Sequence, residues 1–249
     1  MSRSSKLVLM VVAAVLVLWA SAGAVAAPIS LPIDNPGFEY PVLAEDDDWG
    51  YSMDDEGWGY YNNDGYQGPW NPATDCYPGE APEGQNIGWT NPGEDGPGGF
   101  AQVLTDPEAV LKAGWTYTLK VEVGNAYWYD WGGYKVQLLA GGTPHTPGDG
   151  SDYTGPVTGG TLLAEDDSSL AVPDGTFMTS TVTYSYDPMH AALVGEPLQI
   201  RLLALIPAEP TGDEVEVDFD NVRLTAVPEP ATLALLSLGA LMVRRRRRQ

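Results

Sequence analysis

Cysteine, histidine and basic residues are all scarce in this chain, and each scarcity excludes something. The single cysteine, Cys76, has no partner for an intrachain disulfide, so the fold must rest on its packed core or on a bound ion. The two histidines, His145 and His190, are remote from Cys76 in sequence and give it no activating base. Cys76 therefore reads as a buried thiol rather than a nucleophile. No H-E-x-x-H, G-x-S-x-G or phosphate-loop pattern occurs. Carboxylates are so numerous that a glycosidase pair can be neither nominated nor dismissed. On these grounds the expectation is a protein without catalytic activity.

Lysine and arginine are concentrated at the two ends. Between residues 28 and 226 there are only five, Lys112, Lys120, Lys135, Arg201 and Arg223, against 33 of the 34 acidic residues, a net charge near −28. Such a body repels nucleic acid and anionic lipid and favours cations and solubility. The clusters Asp46–Asp48, Asp54–Glu56 and Glu165–Asp167 match no D-x-[DN]-x-[DN]-G calcium loop and read as solvated loop acids.

Long apolar runs are also missing, and the two short ones are addresses. Arg3 and Lys6 precede an apolar run from Leu7 to Trp19, then small residues to Ala27. This order is that of a secretory signal peptide spanning residues 1–27. Ala24-Val25-Ala26 offers a cleavage site after Ala26, with Ala27 the alternative. Export machinery and a signal peptidase are the implied partners.

At the other end Val227-Pro228-Glu229-Pro230 precedes the apolar stretch Ala231–Val243 and five arginines, beginning with Arg244 and Arg245. Thirteen helical residues rise only about 20 Å against a hydrocarbon core of about 30 Å, a poor permanent anchor. The arginines favour the cytoplasmic side, which leaves the body outside. Motif, short apolar helix and arginine cluster together resemble the PEP-CTERM sorting tail. The resemblance covers residues 227–249. It implies a bacterial envelope protein handled by an exosortase, with transient membrane contact through the tail, in bacteria that make exopolysaccharide or biofilm matrix.

Glycine and proline are plentiful, 29 and 21 residues, which suits short strands joined by turns. Alternation is clean from Trp115 to Val123 and recurs over Tyr134–Ala140, Thr179–Tyr186 and Leu198–Leu205. Val215, Val217 and Phe219 alternate before the phase slips at Asp220-Asn221 to Val222 and Leu224, which predicts a bulge or bend. Weaker strands are expected over Ile29–Ile33, Gln85–Trp89 and Phe100–Leu104, with one helical turn from Thr105. The predicted fold is all-β, one antiparallel jelly-roll sandwich of about eight strands over residues 28–226.

The body opens on Asn35-Pro36-Gly37-Phe38-Glu39 and closes on Val217-Asp218-Phe219-Asp220-Asn221-Val222-Arg223-Leu224. This bracket resembles galactose-binding-domain-like jelly rolls and carbohydrate-binding modules. The resemblance implies a structural calcium on Glu39 and Asp220, with Asp218 as a further ligand. Ca²⁺ takes six to eight oxygens, so backbone carbonyls would complete the set. Aromatics crowd two stretches without core periodicity, Trp49–Trp70 and Tyr127–Trp131, and these read as loops. Flat rings among carboxylates and amides suit sugar faces, which makes Trp58, Trp128 and Trp131 the candidate ligand-binding residues. The leading expectation is an exported carbohydrate- or matrix-binding surface protein. A purely structural envelope protein is the alternative, and a glycan-active enzyme the third reading.

Overall fold

A computed structural model describes residues 26–51, 57–61, 66–93, 96–144, 157–207 and 214–229. Residues 1–25 of the expected signal peptide, Pro230 and the rest of the tail with Arg244 and Arg245 lie outside the described residues. Among the described residues, no helix is long and apolar enough to cross a membrane. Residues Ile29–Ala226 form one compact unit.

That unit is a two-sheet β-sandwich. Its strands are β1 (Ile29–Leu31), β2 (Gly59–Tyr60), β3 (Gln67–Trp70), β4 (Ile87–Thr90), β5 (Gly98–Val103), β6 (Trp115–Asn125), β7 (Tyr134–Ala140), β8 (Thr161–Asp167), β9 (Thr176–Ser185), β10 (Leu198–Ala204) and β11 (Val217–Pro228). One sheet runs β3-β4-β11-β6-β9, with β1 also on β11; the other runs β2-β5-β10-β7-β8. The all-β expectation is met, with eleven strands among the described residues rather than about eight.

The two-residue period positions the core. On β6, Tyr117, Leu119, Val121 and Val123 are buried, opposite Tyr184 and Val182 of β9. In the facing sheet Ile200 and Leu202 of β10 pair with Leu138 and Val136 of β7, and all four are buried. Between the sheets Phe38 stacks on Trp58 at 5.4 Å and tilts against Phe100 at 4.9 Å. Gly88 must be glycine here, because a Cβ would come within 2.6 Å of the Phe38 ring.

The slip in β11 is real and has a structural role. Val217–Phe219 pairs with β4, whereas Leu224–Ala226 pairs with β1. Between them Asn221 adopts φ 50°, a conformation asparagine tolerates better than most residues. The N-P-G-F-E loop fills the resulting gap, with Val222 N–H donating to Pro36 O at 2.8 Å.

Three local expectations change. Thr105 starts no helix; Asp106–Ala109 is a single turn closed by Ala109 N–H on Asp106 O. Glu165–Asp167 belongs to β8 rather than to a solvated loop. Lys135 pairs there with Asp167 and Glu165, while buried Asp166 accepts from the Tyr134 and Ser180 hydroxyls. The aromatic stretch from Trp49 contains β2 and β3, so it is not wholly loop.

Candidate active site

Strands β3, β4 and β11 turn one face towards the core and the other away from it. On the outward face lie Trp89 of β4, Asp218 and Asp220 of β11 and, just before β11, Glu216. That face would be wet were it not covered by three loops. The first, residues 43–51, is strapped to the end of β3. Gly50 N–H donates to Pro69 O, Asn71 N–H to Asp48 O, and the Asn71 amide to the Leu43 and Glu45 carbonyls. The approach is so close that a Cβ on Gly68 would stand 1.8 Å from the Gly50 carbonyl oxygen. The second loop, after Trp70, contributes Cys76 and Tyr77. The third, residues 126–131, is held by Asp130, whose N–H donates to Glu214 O and whose carbonyl accepts Glu216 N–H.

These loops enclose a cavity of about 440 Å³, within the usual range for a small-molecule site. Its walls are Trp49, Tyr51, Tyr66, Trp70, Trp89, Trp128 and Tyr129, and its polar lining is Asp47, Asn91, Glu214 and Glu216. Trp49 meets Tyr51 edge-on at 4.8 Å and Trp89 at 6.1 Å, while Trp70 lies 6.1 Å from Trp128. The indole N–H groups are committed, Trp70 to Asp47 Oδ1 at 3.1 Å and Trp89 to Gly50 O at 3.2 Å. Both rings are thereby fixed in orientation.

At the floor is a pair of acids. Glu216 is only 4% exposed and Asp218 is fully buried. Tyr77 Oη donates to Asp218 Oδ2, while Glu216 Oε1 and Asp218 Oδ1 are buried without a hydrogen-bond partner. Ionising both would leave two unpaired like charges out of water, so the site favours keeping a proton on one of them. Burial, then the neighbouring Asp218 and Glu214 charges, push the Glu216 carboxyl well above the ordinary range. Burial lifts Asp218 to about 7 against the opposing hydrogen bond from Tyr77. The Tyr77 phenol is itself raised well above its usual value by burial and by Asp218, so it stays a donor.

The residues singled out in the sequence fall in different places. Trp128 lines the cavity and is 45% exposed. Trp131 packs partly buried against the core beside Tyr134 and does not line the cavity. Trp58, expected on a binding loop, is instead core, 1% exposed with its Nε1–H donated to Asn35 O. Ala26 is exposed, while Val227 and Pro228 complete β11 ahead of Glu229.

Glu39 and Asp220 are brought to one corner together with Glu83, and Asp218 is separated from them by its commitment to Tyr77 and Glu216. Asp220 is buried and pushed up to about 8 by burial, then by the Glu83 and Glu39 charges, despite accepting the Glu83 and Asn221 N–H groups. Arg223 pairs with Glu83. Among the described residues no group of three or more His, Cys, Asp or Glu side chains is placed to hold a metal. Sequence reasoning missed Asp47, Trp89, Glu214 and Glu216. The alternation Glu214-Val-Glu216-Val-Asp218 reads as an ordinary strand with a wet acidic face.

The sequence matches the HpiC1-like family, described as HpiC1 cyclase, over residues 29–154 and 157–225. Residues 226–248 match the PEP-CTERM protein-sorting motif, which marks an exported, exosortase-sorted cell-surface protein. A Stig cyclase, Fisc, from Fischerella sp. TAU in complex with (3Z)-3-(1-methyl-2-pyrrolidinylidene)-3H-indole is 31% identical, with TM-score 0.65 over 82% of this chain and 100% of that one. A cyclase from Fischerella sp. TAU in complex with 4-(1H-indol-3-yl)butan-2-one is also 31% identical, with TM-score 0.63 over 81% and 98%. The xylan-binding CBM22-1 domain of Paenibacillus barcinonensis Xyn10C reaches 13% identity and TM-score 0.39 over 75% and 99%. At that level the likeness carries no argument for a sugar ligand. No curated protein matches the chain significantly. The expectation of a protein without catalytic activity is overturned by the cyclase matches.

Proposed function

Because this chain belongs to the HpiC1-like family of cyclases, we propose that it is an exported cyclase that binds an indole-sized aromatic substrate and starts ring closure with a proton from Glu216. The observation that carries this reading is a buried acid, Glu216, lining an aromatic cavity with a second buried acid, Asp218, behind it. A general acid must keep its proton at working pH, and burial beside Asp218 does this for Glu216. Asp218, held by Tyr77, keeps a negative charge beside Glu216 that disfavours loss of its proton. The indole ligands of the two Fischerella relatives support a ring of that size in this cavity.

In the proposed reaction Glu216 transfers its proton to an electron-rich carbon of the substrate, leaving a carbocation. The ring faces around the cavity stabilise that charge, and the covering loops keep water from capturing it. A π bond of the same substrate then supplies the electron pair for the new carbon–carbon bond. Loss of a proton to the Glu216 carboxylate restores the enzyme. The sum is an isomerisation without an oxidant or a reductant.

Calorimetric titration with 4-(1H-indol-3-yl)butan-2-one tests the binding half of this reading. Saturable one-to-one binding is expected, weakened roughly two- to tenfold by Trp128→Ala, the range of one aromatic contact. Absence of saturable heat from the wild type at high protein concentration would refute it.

We also propose a structural calcium at the corner of Glu39 and Asp220. Support comes from the repulsion among Glu39, Glu83 and Asp220, which a divalent ion would relieve. With too few side chains placed for a ready-made set, the ion would draw on backbone or water oxygens. Ca²⁺ added to chelator-treated protein is expected to raise the melting temperature. At a hundredfold excess over Kd the gain is about 2.7 kcal/mol, and Glu39→Gln should remove most of it. An unchanged melting curve in the wild type would sink this proposal.

A further inference from the structure

We infer that the cavity selects substrates carrying a positive charge beside the aromatic ring, a protonated amine held at the rim by Asp47 and Glu214. This inference rests on the reading of the cavity as an aromatic-ligand site and adds the class of ligand.

The first ground is the arrangement of rings. Trp49 stands at 90° to Trp89 and 85° to Tyr51, and Tyr51 at 66° to Trp89, with centroids 4.8–6.1 Å apart. The three rings pack edge to face along one side of the cavity. An ammonium over an uncovered face of Trp49 or Tyr51, each about half exposed, would meet the negative quadrupole potential of that ring.

The second ground is the charge of everything else that lines the space. Asp47 and Glu214 are exposed carboxylates at the mouth, whereas Glu216 lies at the floor. Asp47 uses Oδ1 for Trp70, which holds the group in place over the cavity. Among the described residues no basic side chain lines the cavity. Of the five body cations, Lys112 pairs with Glu108, Lys135 with Asp167 and Arg223 with Glu83. Arg201 lies over Tyr61, Lys120 is exposed on β6, and none of the five lines this cavity. The segments outside the described residues between 28 and 226 contain no lysine or arginine, so the negative field at the rim is uncompensated by any of them.

A ligand with its ring between Trp89 and Trp128 and its ammonium at the rim satisfies both features. The floor acid keeps its proton, because the cation is met by Asp47 and Glu214 rather than by Glu216.

Three ligands of nearly equal size separate charge from shape: tryptamine, the neutral indole-3-ethanol, and indole-3-acetate. Calorimetry on the full body at pH 7 is expected to give tryptamine at least tenfold tighter than indole-3-ethanol, with indole-3-acetate weakest. The ratio of tryptamine to indole-3-ethanol affinity should shrink with added NaCl and fall severalfold in Asp47→Asn/Glu214→Gln. The salt series on the wild type reads the same charge effect if the double variant does not fold. Equal affinity for tryptamine and indole-3-ethanol overturns the charge selection and leaves the aromatic site intact. Failure of all three to bind overturns both.

Discussion

Glu216→Gln is expected to slow proton delivery to a bound aromatic by about 10²–10⁴-fold, the usual worth of a positioned general acid. Exchange of the C3 hydrogen of indole in deuterated water measures this step directly, since exchange requires protonation of that carbon and loss of the original proton. Glutamine keeps the shape and a hydrogen-bond donor towards Asp218 but has no proton to transfer. Indole affinity should therefore change little while exchange collapses. The pH dependence has a definite sign. Glu216 is competent while it holds its proton, so exchange should persist above the ordinary carboxylate range and fall as pH rises through the Glu216 value raised by burial and by the Asp218 charge. A variant that exchanges as fast as the wild type would assign the proton to another group.

Trp58→Ala is expected to cost about 3–5 kcal/mol of stability, the range for removing a fully buried aromatic. The indole is 1% exposed, stacks on Phe38, meets Phe100 edge-on at 6.1 Å and donates to Asn35 O. Its loss opens a cavity between the sheets and removes the anchor of the N-P-G-F-E loop. For a domain of this size the melting temperature should drop by roughly 6–20 °C. Trp128→Ala, at a half-exposed position, should melt within a few degrees of the wild type. Similar melting shifts for the two variants would contradict the placement of Trp58 in the core and Trp128 in the cavity wall.

The strands were legible because most of them bury one face and show it. Trp115–Val123 and Tyr134–Ala140 alternate as half-buried strands must, and the slip at Asp220-Asn221 announced the change of partner in β11. β8 escaped notice because Thr161–Asp167 is largely exposed and acidic at its end. Its identity comes from pairing with β7, a tertiary fact.

The candidate site was hardly legible, for a related reason. Alternating acids before and within β11 look like a solvated face, and only the loops folded over them make them buried. Those loops are held by backbone hydrogen bonds at Gly50, Asn71 and Asp130, which carry no sequence signature. Aromatic density pointed to Trp128, yet density alone could not separate Trp58, which turns inward, from Trp49 and Trp89, which line the cavity. The tail was read correctly because all its information is local, a motif and two compositional runs in order.

The most direct test of the account is a crystal structure of the body with 4-(1H-indol-3-yl)butan-2-one. The account expects the indole between Trp89 and Trp128, with the Glu216 carboxyl within hydrogen-bond reach of the ligand. A ligand bound elsewhere on the sandwich, or a cavity left filled by water at saturating ligand, would contradict it.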